Sequence, residues 1–208
     1  MAKQIKGVSD RLLAFAQAEF LQKGFLDASL RTIAENAGTS TGSIYTRFGD
    51  KNGLFSAIVG PVAEGFLAAY REEIDAFNEG EPKPVEQMLR HTAGRLNMTA
   101  DAIYDHLDEF KLLICRSEGS GYENFLHRLA QIEAEQTERY LRWIGSDAME
   151  SGRLSPALLH MLSSAFWAGV FQTVEHDMSK EEALVYIAQL KRFYRHGWQD
   201  ILQPGPDC

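Results

Sequence analysis

The sequence predicts an all-α protein, and three observations carry that prediction. Apolar residues recur at three- and four-residue spacing along the chain, and no stretch alternates apolar with polar residues as a half-buried strand would. The prolines sit at expected helix ends or linkers, apart from Pro61. The first helix opens at Ser9, a favourable N-cap, and extends to about Lys23, with Leu12, Leu13, Ala16 and Phe20 on one stripe and Gly24 closing it. Ser29 caps a shorter helix whose Leu30, Ile33, Ala34 and Ala37 follow the spacing of one helical face up to Gly38. After a tight turn, Ser40 is placed to cap a third helix by accepting from the backbone N–H groups of its first turn. A fourth helix, Lys51 to about Asn78, contains Pro61, which is expected to kink it. Beyond the linker "NEGEPKP", helices are expected at roughly 84–98, 101–117, 121–150, 156–177 and 180–202, separated by "SEGSG", "ESGR" and "DMSK". Two domains follow: 1–55, and a larger helical domain at 56–208.

A chain of 208 residues has room for one large domain or two small ones and can bury a sizeable core. It has no run of eighteen apolar residues, and "MAKQIKGVSD" lacks the apolar stretch of a secretory signal, so a cytoplasmic location without membrane contact is expected. Cys115 and Cys208 make neither a disulfide framework nor a zinc cluster and are expected as free thiols. The net charge of −8 is uneven. Residues 1–58 hold seven Lys/Arg against five acids, a net of +2, which leaves −10 for the remainder. That asymmetry points the N-terminal part toward an anion.

The third helix, within "TSTGSIYTRFGDK", breaks local rules. Ile44 and Phe48 form a core-like pair one turn apart, yet the other faces carry Thr, Ser, Gly, Tyr and Arg. A helix kept only for packing would favour Ala, Leu, Glu or Lys outside, since Gly costs about 1 kcal/mol relative to Ala. A short helix, a glycine-containing turn and a second short helix form the helix-turn-helix pattern, whose second helix enters the DNA major groove. At 100° per residue, Gly42, Ser43 and Thr46 face outward with Tyr45 on the flank. Small residues permit close approach, hydroxyls can bond to base edges or phosphates, and Arg47 and Lys51 supply charge at the edges. The helix start at Ser40, Thr41 and Gly42 offers N–H groups and a positive dipole end to an anion.

The stretch Ser29–Phe55, "SLRTIAENAGTSTGSIYTRFGDKNGLF", closely resembles the signature of the TetR family of bacterial transcriptional regulators. The resemblance covers about a quarter of the chain without a gap: "LRTIAENAG" for the second helix, "TSTGSIYTRF" for the turn and recognition helix, "GDKNGLF" leading into the fourth. It implies that Thr41, Gly42, Tyr45, Thr46 and Arg47 lie where family members touch DNA, with Ser40 capping and touching the backbone. It further implies phosphate contacts from Arg31, Thr32 and Lys51. Many family members carry histidine where this chain has Arg47, so that contact is expected kept but altered. The implied function is a repressor, bound as a homodimer to a palindromic operator in double-stranded DNA and released by a small-molecule effector. The alternative is a helical small-molecule carrier without DNA function.

Two apolar faces support the dimer. Leu158, Leu162, Ala165, Phe166, Gly169, Val170 and Val174 make one, and Leu184, Ile187, Tyr194, Trp198 and Ile201 the other; two such helices from each subunit suit a four-helix bundle. For the effector, Met88, His91, Tyr104, Phe110, Cys115, Tyr122 and Phe125 lie on helices expected to enclose a cavity, and Glu118 near Tyr122 offers a carboxylate to a cationic ligand. No enzyme is expected. The six histidines, His91, His106, His127, His160, His176 and His196, form no i, i+4 metal pair, "EHDM" reads as a polar helix end, and "SEGSG" lacks the lysine and preceding strand of a phosphate-binding loop. No serine occupies a strand-to-helix nucleophile elbow, and neither metal nor cofactor is implied.

Overall fold

The computed structural model describes residues 7–202, apart from the side chains of residues 93 and 95–97. Its elements are α1 (Val8–Asp27), α2 (Leu30–Asn36), α3 (Thr41–Phe48), α4 (Lys51–Phe77), α5 (Val85–Asp105), α6 (Leu107–Cys115), α7 (Phe125–Trp143), α8 (Pro156–Glu175) and α9 (Lys180–Leu202). The all-α class holds: among the described residues there is no strand. Cys208 lies outside the described residues.

Element boundaries differ from expectation in ways that packing explains. α1 does break at Gly24 (φ 77°, ψ 167°), but helical turns resume to Asp27 because Phe25 is drawn into the core. α5 runs straight through the expected gap near residue 100, since Thr99 and Ala100 lie on its buried face and nothing there interrupts the backbone. The break falls instead at His106 (φ −131°, ψ 41°), leaving α6 as a short separate helix. α7 is shorter than the expected 121–150 helix: residues 121–124 form turns, and Gly145 (φ 65°) takes a left-handed conformation beyond its end.

The chain divides into two compact units, residues 1–65 with 106–125, and residues 66–105 with 126–208. The expected boundary at 55/56 falls inside α4, and the first unit includes α6 and the loop after it. Its core is built from Leu12, Ala16 and Phe20 of α1, Ile33 and Ala34 of α2, Ile44 of α3 and Leu54, Phe55 and Val59 of α4, all fully buried or nearly so. Phe55 meets Phe20 edge-on at 5.1 Å and Phe25 at 5.3 Å, a geometry that rings prefer to face-to-face stacking. The loop 116–124 is tied to the helices around it. The Phe25 N–H donates to the Arg116 carbonyl (2.9 Å), the Gly121 N–H donates to Asn52 Oδ1 (2.8 Å), and the Tyr122 and Ser56 hydroxyls lie 3.2 Å apart.

In the second unit, Trp167 of α8 is buried edge-on against Phe66 and Tyr70 of α4, with centroids at 6.3 and 5.1 Å. A further cluster joins Val85 and Leu89 of α5, Tyr140 and Leu141 of α7, Leu159 of α8 and Leu202 of α9 to Ala148 and Leu154 in the α7–α8 connection. The Tyr104 hydroxyl donates to the Met178 carbonyl (2.9 Å), and Lys180 pairs with Asp101 (2.9 Å), which fixes the end of α5 at the α8–α9 turn. By length and composition α4 and α8 could cross a membrane, a test that core helices also pass; α8 buries Leu159, Phe166, Trp167, Val170, Phe171 and Val174 inside this chain.

Candidate functional site

The α2–α3 pair is held rigidly. Ser29 Oγ accepts from the Thr32 N–H (3.3 Å), while Glu19 accepts from the Ser29 N–H (3.1 Å), so the start of α2 is anchored to α1. Its end is gripped by Arg11, whose Nε donates to the Ala37 carbonyl (3.1 Å). Gly38 (φ 65°) makes the turn that a side chain would strain. α3 then presses Ile44, fully buried, into the core, which fixes its rotation. Gly53 permits the tight exit into α4: a Cβ there would lie 1.8 Å from the Phe48 carbonyl oxygen. Its N–H donates to Asp50 Oδ1 (2.7 Å).

With Ile44 inward, Gly42, Tyr45 and Thr46 stand exposed, Tyr45 at 56 %. Ser43 and Thr41 are half-buried beside them. Ser40 occupies the N-cap of α3, but its side chain makes no cap bond; its carbonyl accepts from the Ser43 N–H (2.9 Å) instead. The side-chain cap expected at Ser40 is therefore corrected. Several outward hydroxyls are engaged locally: Thr46 donates to the Gly42 carbonyl (2.8 Å), and Thr39 and Ser43 lie 2.7 Å apart. Arg47 donates to the Ser43 carbonyl (3.3 Å), while its buried Nε has no partner. Arg31 is exposed and pairs with Glu35 (2.8 Å), and Thr32 is half-buried. Lys51 is less available than expected. It donates to the Leu26 carbonyl (2.8 Å) near the end of α1 and lies 5.1 Å from the Phe25 ring centroid, where partial burial lowers its pKa.

Residues 12–58, which contain this whole arrangement, match the model of the bacterial regulatory proteins, tetR family. Over that stretch the chain is similar to TetR-family regulators. It is 24 % identical over 160 residues to the HTH-type transcriptional repressor KstR2 of Mycobacterium tuberculosis, covering 76 % of this chain and 74 % of that protein. Its fold is similar to that of SmeT, the repressor of the Stenotrophomonas maltophilia multidrug efflux pump SmeDEF (TM-score 0.61, 16 % identity, 96 % and 95 % of the two chains). Similar too are NalD of Pseudomonas aeruginosa, secondary repressor of the MexAB-OprM multidrug efflux pump (0.60, 17 %, 89 % and 95 %), and PfmR of Thermus thermophilus (0.55, 20 %, 96 % and 100 %). The chain is a DNA-binding transcriptional regulator.

The eight residues expected around an effector are divided between the units of this regulator. Phe110 and Phe125 are fully buried against each other (6.2 Å) and serve as core in the first unit. Tyr122 packs 6.5 Å from Phe55, and Cys115 and Glu118 are exposed. Tyr104 is taken up by its bond to Met178. Met88 and His91 do line a cavity, a small one of about 40 Å³ with Asn78, Thr92, Glu133, Gln136 and Tyr140. His91 stacks on Phe77 at 4.4 Å and approaches Glu73 at 3.8 Å. Asn78 Nδ2 and Gln136 Oε1 are buried there without hydrogen-bond partners.

Thr92 and Glu133 are shared with a second cavity, of about 480 Å³, that the sequence reading missed. Its described lining includes Leu89, Phe166, Tyr194 and Trp198, together with Lys191, Arg192, Arg195 and His196. A signal was present. Glu133 falls four residues after Leu129 and seven before Tyr140, so a carboxylate sits on the same helical stripe as two buried apolar residues of α7. Burial pushes its pKa up to about 7, and the Tyr70 hydroxyl donates to it.

The expected dimer face also needs correction. Phe166, Val170 and Ile187 are buried in the chain's own core, at 9 %, 0 % and 1 % exposure, and Tyr194 packs edge-on to Phe166 at 5.0 Å. Leu162, Leu184 and Trp198 are half-buried, and of the expected set Leu158 and Ala165 are exposed. The large apolar side chains left open on α8 and α9 are Leu158, Met161, Val185 and Phe193, the last at 76 %.

Proposed function

We propose that this protein is a TetR-family repressor that binds a roughly palindromic operator as a homodimer in the cytoplasm and is released by a small molecule seated in the 480 Å³ cavity. One observation carries the DNA reading: the small, polar outer face of α3, with Gly42, Tyr45 and Thr46 exposed opposite the buried Ile44. Base edges are reached from that face, with Thr41 and Ser43 beside it. Ser40, Thr32 and Arg31 contact phosphates, the last by exchanging Glu35 for a phosphate oxygen. Arg47 flanks the groove, and Lys51 contributes its charge from its place at the end of α1. The family is regulatory, and no catalytic step is assigned.

The dimer forms through Leu158, Met161, Val185 and Phe193. At 100° per residue along α9, Phe193 lies opposite Lys191 and Arg195, while Val185 falls on the line of Arg192 and His196 about two turns nearer the start of the helix, so a partner centred on Phe193 leaves Lys191 and Arg195 uncovered. An effector that favours the arrangement in which the two reading heads no longer match successive major-groove faces lowers operator affinity, and operator lowers effector affinity by the same factor. Two proteins of similar fold, NalD and SmeT, are repressors of multidrug efflux pumps, which supports a small-molecule trigger.

The test is selection of bound genomic fragments by the purified protein, followed by titration of the recovered duplex against salt. Affinity is expected to fall steeply as salt rises. Tyr45→Ala is expected to abolish operator binding with unchanged helicity by circular dichroism. A protein that retains no duplex in dilute buffer, yet binds hydrophobic molecules, would be a carrier instead.

A further inference from the structure

The geometry points to an effector of defined chemistry: an apolar body carrying a carboxylate head, with the body between Leu89, Phe166 and Trp198 and the head at Arg192, Arg195 and His196. This inference rests on the reading of the 480 Å³ cavity as the effector site, whose volume suits an effector of ordinary small-molecule size.

The lining is graded from inside to outside. Leu89 and Phe166 are buried, Tyr194 and Trp198 are half-buried, and Arg192, Arg195 and His196 are exposed. All four basic side chains, counting Lys191, come from α9, where residues 188, 191, 192, 195, 196 and 199 repeat at helical spacing along one side of the cavity. Charge at the opening is thus positive, while the sole acid among the described lining residues, Glu133, belongs to α7. Glu133 is half-buried at the cavity wall, and the protein around its carboxyl raises its pKa to about 7. A carboxyl that resists ionisation is a poor counter-ion for an ammonium group, and such a group would first pass the two guanidinium groups of Arg192 and Arg195. An anionic head gains from the opposite arrangement. Arginine forks match a carboxylate in two parallel hydrogen bonds, and the apolar body removes Leu89, Phe166 and Trp198 from water.

Full-length protein is titrated with dodecanoate, 1-dodecanol and dodecylamine below their micelle concentrations, read by tryptophan fluorescence and calorimetry, with operator binding followed in parallel. Dodecanoate is expected to bind about tenfold or more tightly than the other two, a preference that shrinks with salt. Arg192→Gln combined with Arg195→Gln is expected to remove that preference and leave dodecanol binding unchanged, whereas Arg142→Gln, in an exposed ion pair with Glu138 that is not part of the cavity lining, changes neither. Equal binding of all three probes, tighter binding of the amine, or no binding at all would overturn the ligand class. Carboxylate-selective binding without any change in operator affinity would uphold the class and refute release by the cavity. Operator release by dodecanol or dodecylamine but not by dodecanoate would refute the class and uphold release.

Discussion

Glu133 is the residue whose environment departs most from that of a free side chain. Its pKa, ordinarily 4.5, is raised to about 7 by burial, so the folded protein holds a proton that the unfolded chain releases. The stability this contributes is fully present below about pH 4.5 and is lost as pH rises from there to about 7, amounting to at most on the order of 3 kcal/mol. Urea midpoints measured at pH 5 and pH 8 are expected to fall with pH in the wild-type protein, and Glu133→Gln is expected to flatten the difference and raise the pH 8 value. A wild-type midpoint that does not move across this window would refute the assignment. Lys51 behaves differently: its ammonium is held at the end of α1 between the Leu26 carbonyl and the Phe25 ring, and desolvation lowers its pKa.

At the scale of elements, the junction between α3 and α4 is the most constrained point of the reading head. Alanine is normally the better helix former by about 1 kcal/mol, so Gly53→Ala would stabilise an unencumbered helix. Here its Cβ meets the backbone oxygen of Phe48, which cannot rotate aside, and the clash decides the sign. Gly53→Ala is expected to destabilise the protein by about 1–3 kcal/mol, read as a lowered denaturant midpoint, and to weaken operator binding by shifting α3. A neutral or stabilising effect would show that the junction relaxes freely.

The same scale explains what could be read from the chain beforehand. α2 and α3 were legible because Ile33, Ala34 and Ile44 repeat at helical spacing between capping residues and glycines, and local chemistry sets those elements. The break at His106 was not legible, since no proline or glycine marks it; the fixed position of Tyr104 against Met178 is a long-range contact. α8 is apolar on most sides, so periodicity alone does not phase it, and Phe166 and Val170, expected on an intersubunit face, are buried within the chain. The cavity escaped because its charges come from α9 and its floor from α5 and α8, residues far apart in sequence.

For the molecule as a whole, the proposed function requires two copies. Phe193 and Met161, each more than half exposed, are the apolar side chains whose covering would stabilise a dimer most, by about 1.5–3 kcal/mol for a fully buried large side chain. Phe193→Glu with Met161→Glu is expected to give monomers in sedimentation experiments, with helicity retained and operator affinity much reduced. A dimer that persists would place the interface elsewhere. The uneven charge fits this assembly: the acidic bulk follows residue 58, and the part that carries α2 and α3 is net positive.

The first unit draws on two separate stretches of chain, and this governs how the reading head can be handled. Cutting after residue 65 would discard Phe110, Leu113 and Phe125, all buried in that unit, together with Gly121 and Tyr122, which anchor the loop to Asn52 and Ser56. An excised fragment of that length would carry a stripped hydrophobic surface, prone to aggregate. Grafting this head onto another regulator therefore calls for a two-part transplant, 1–65 along with 106–125, because the specificity module is discontinuous in the gene.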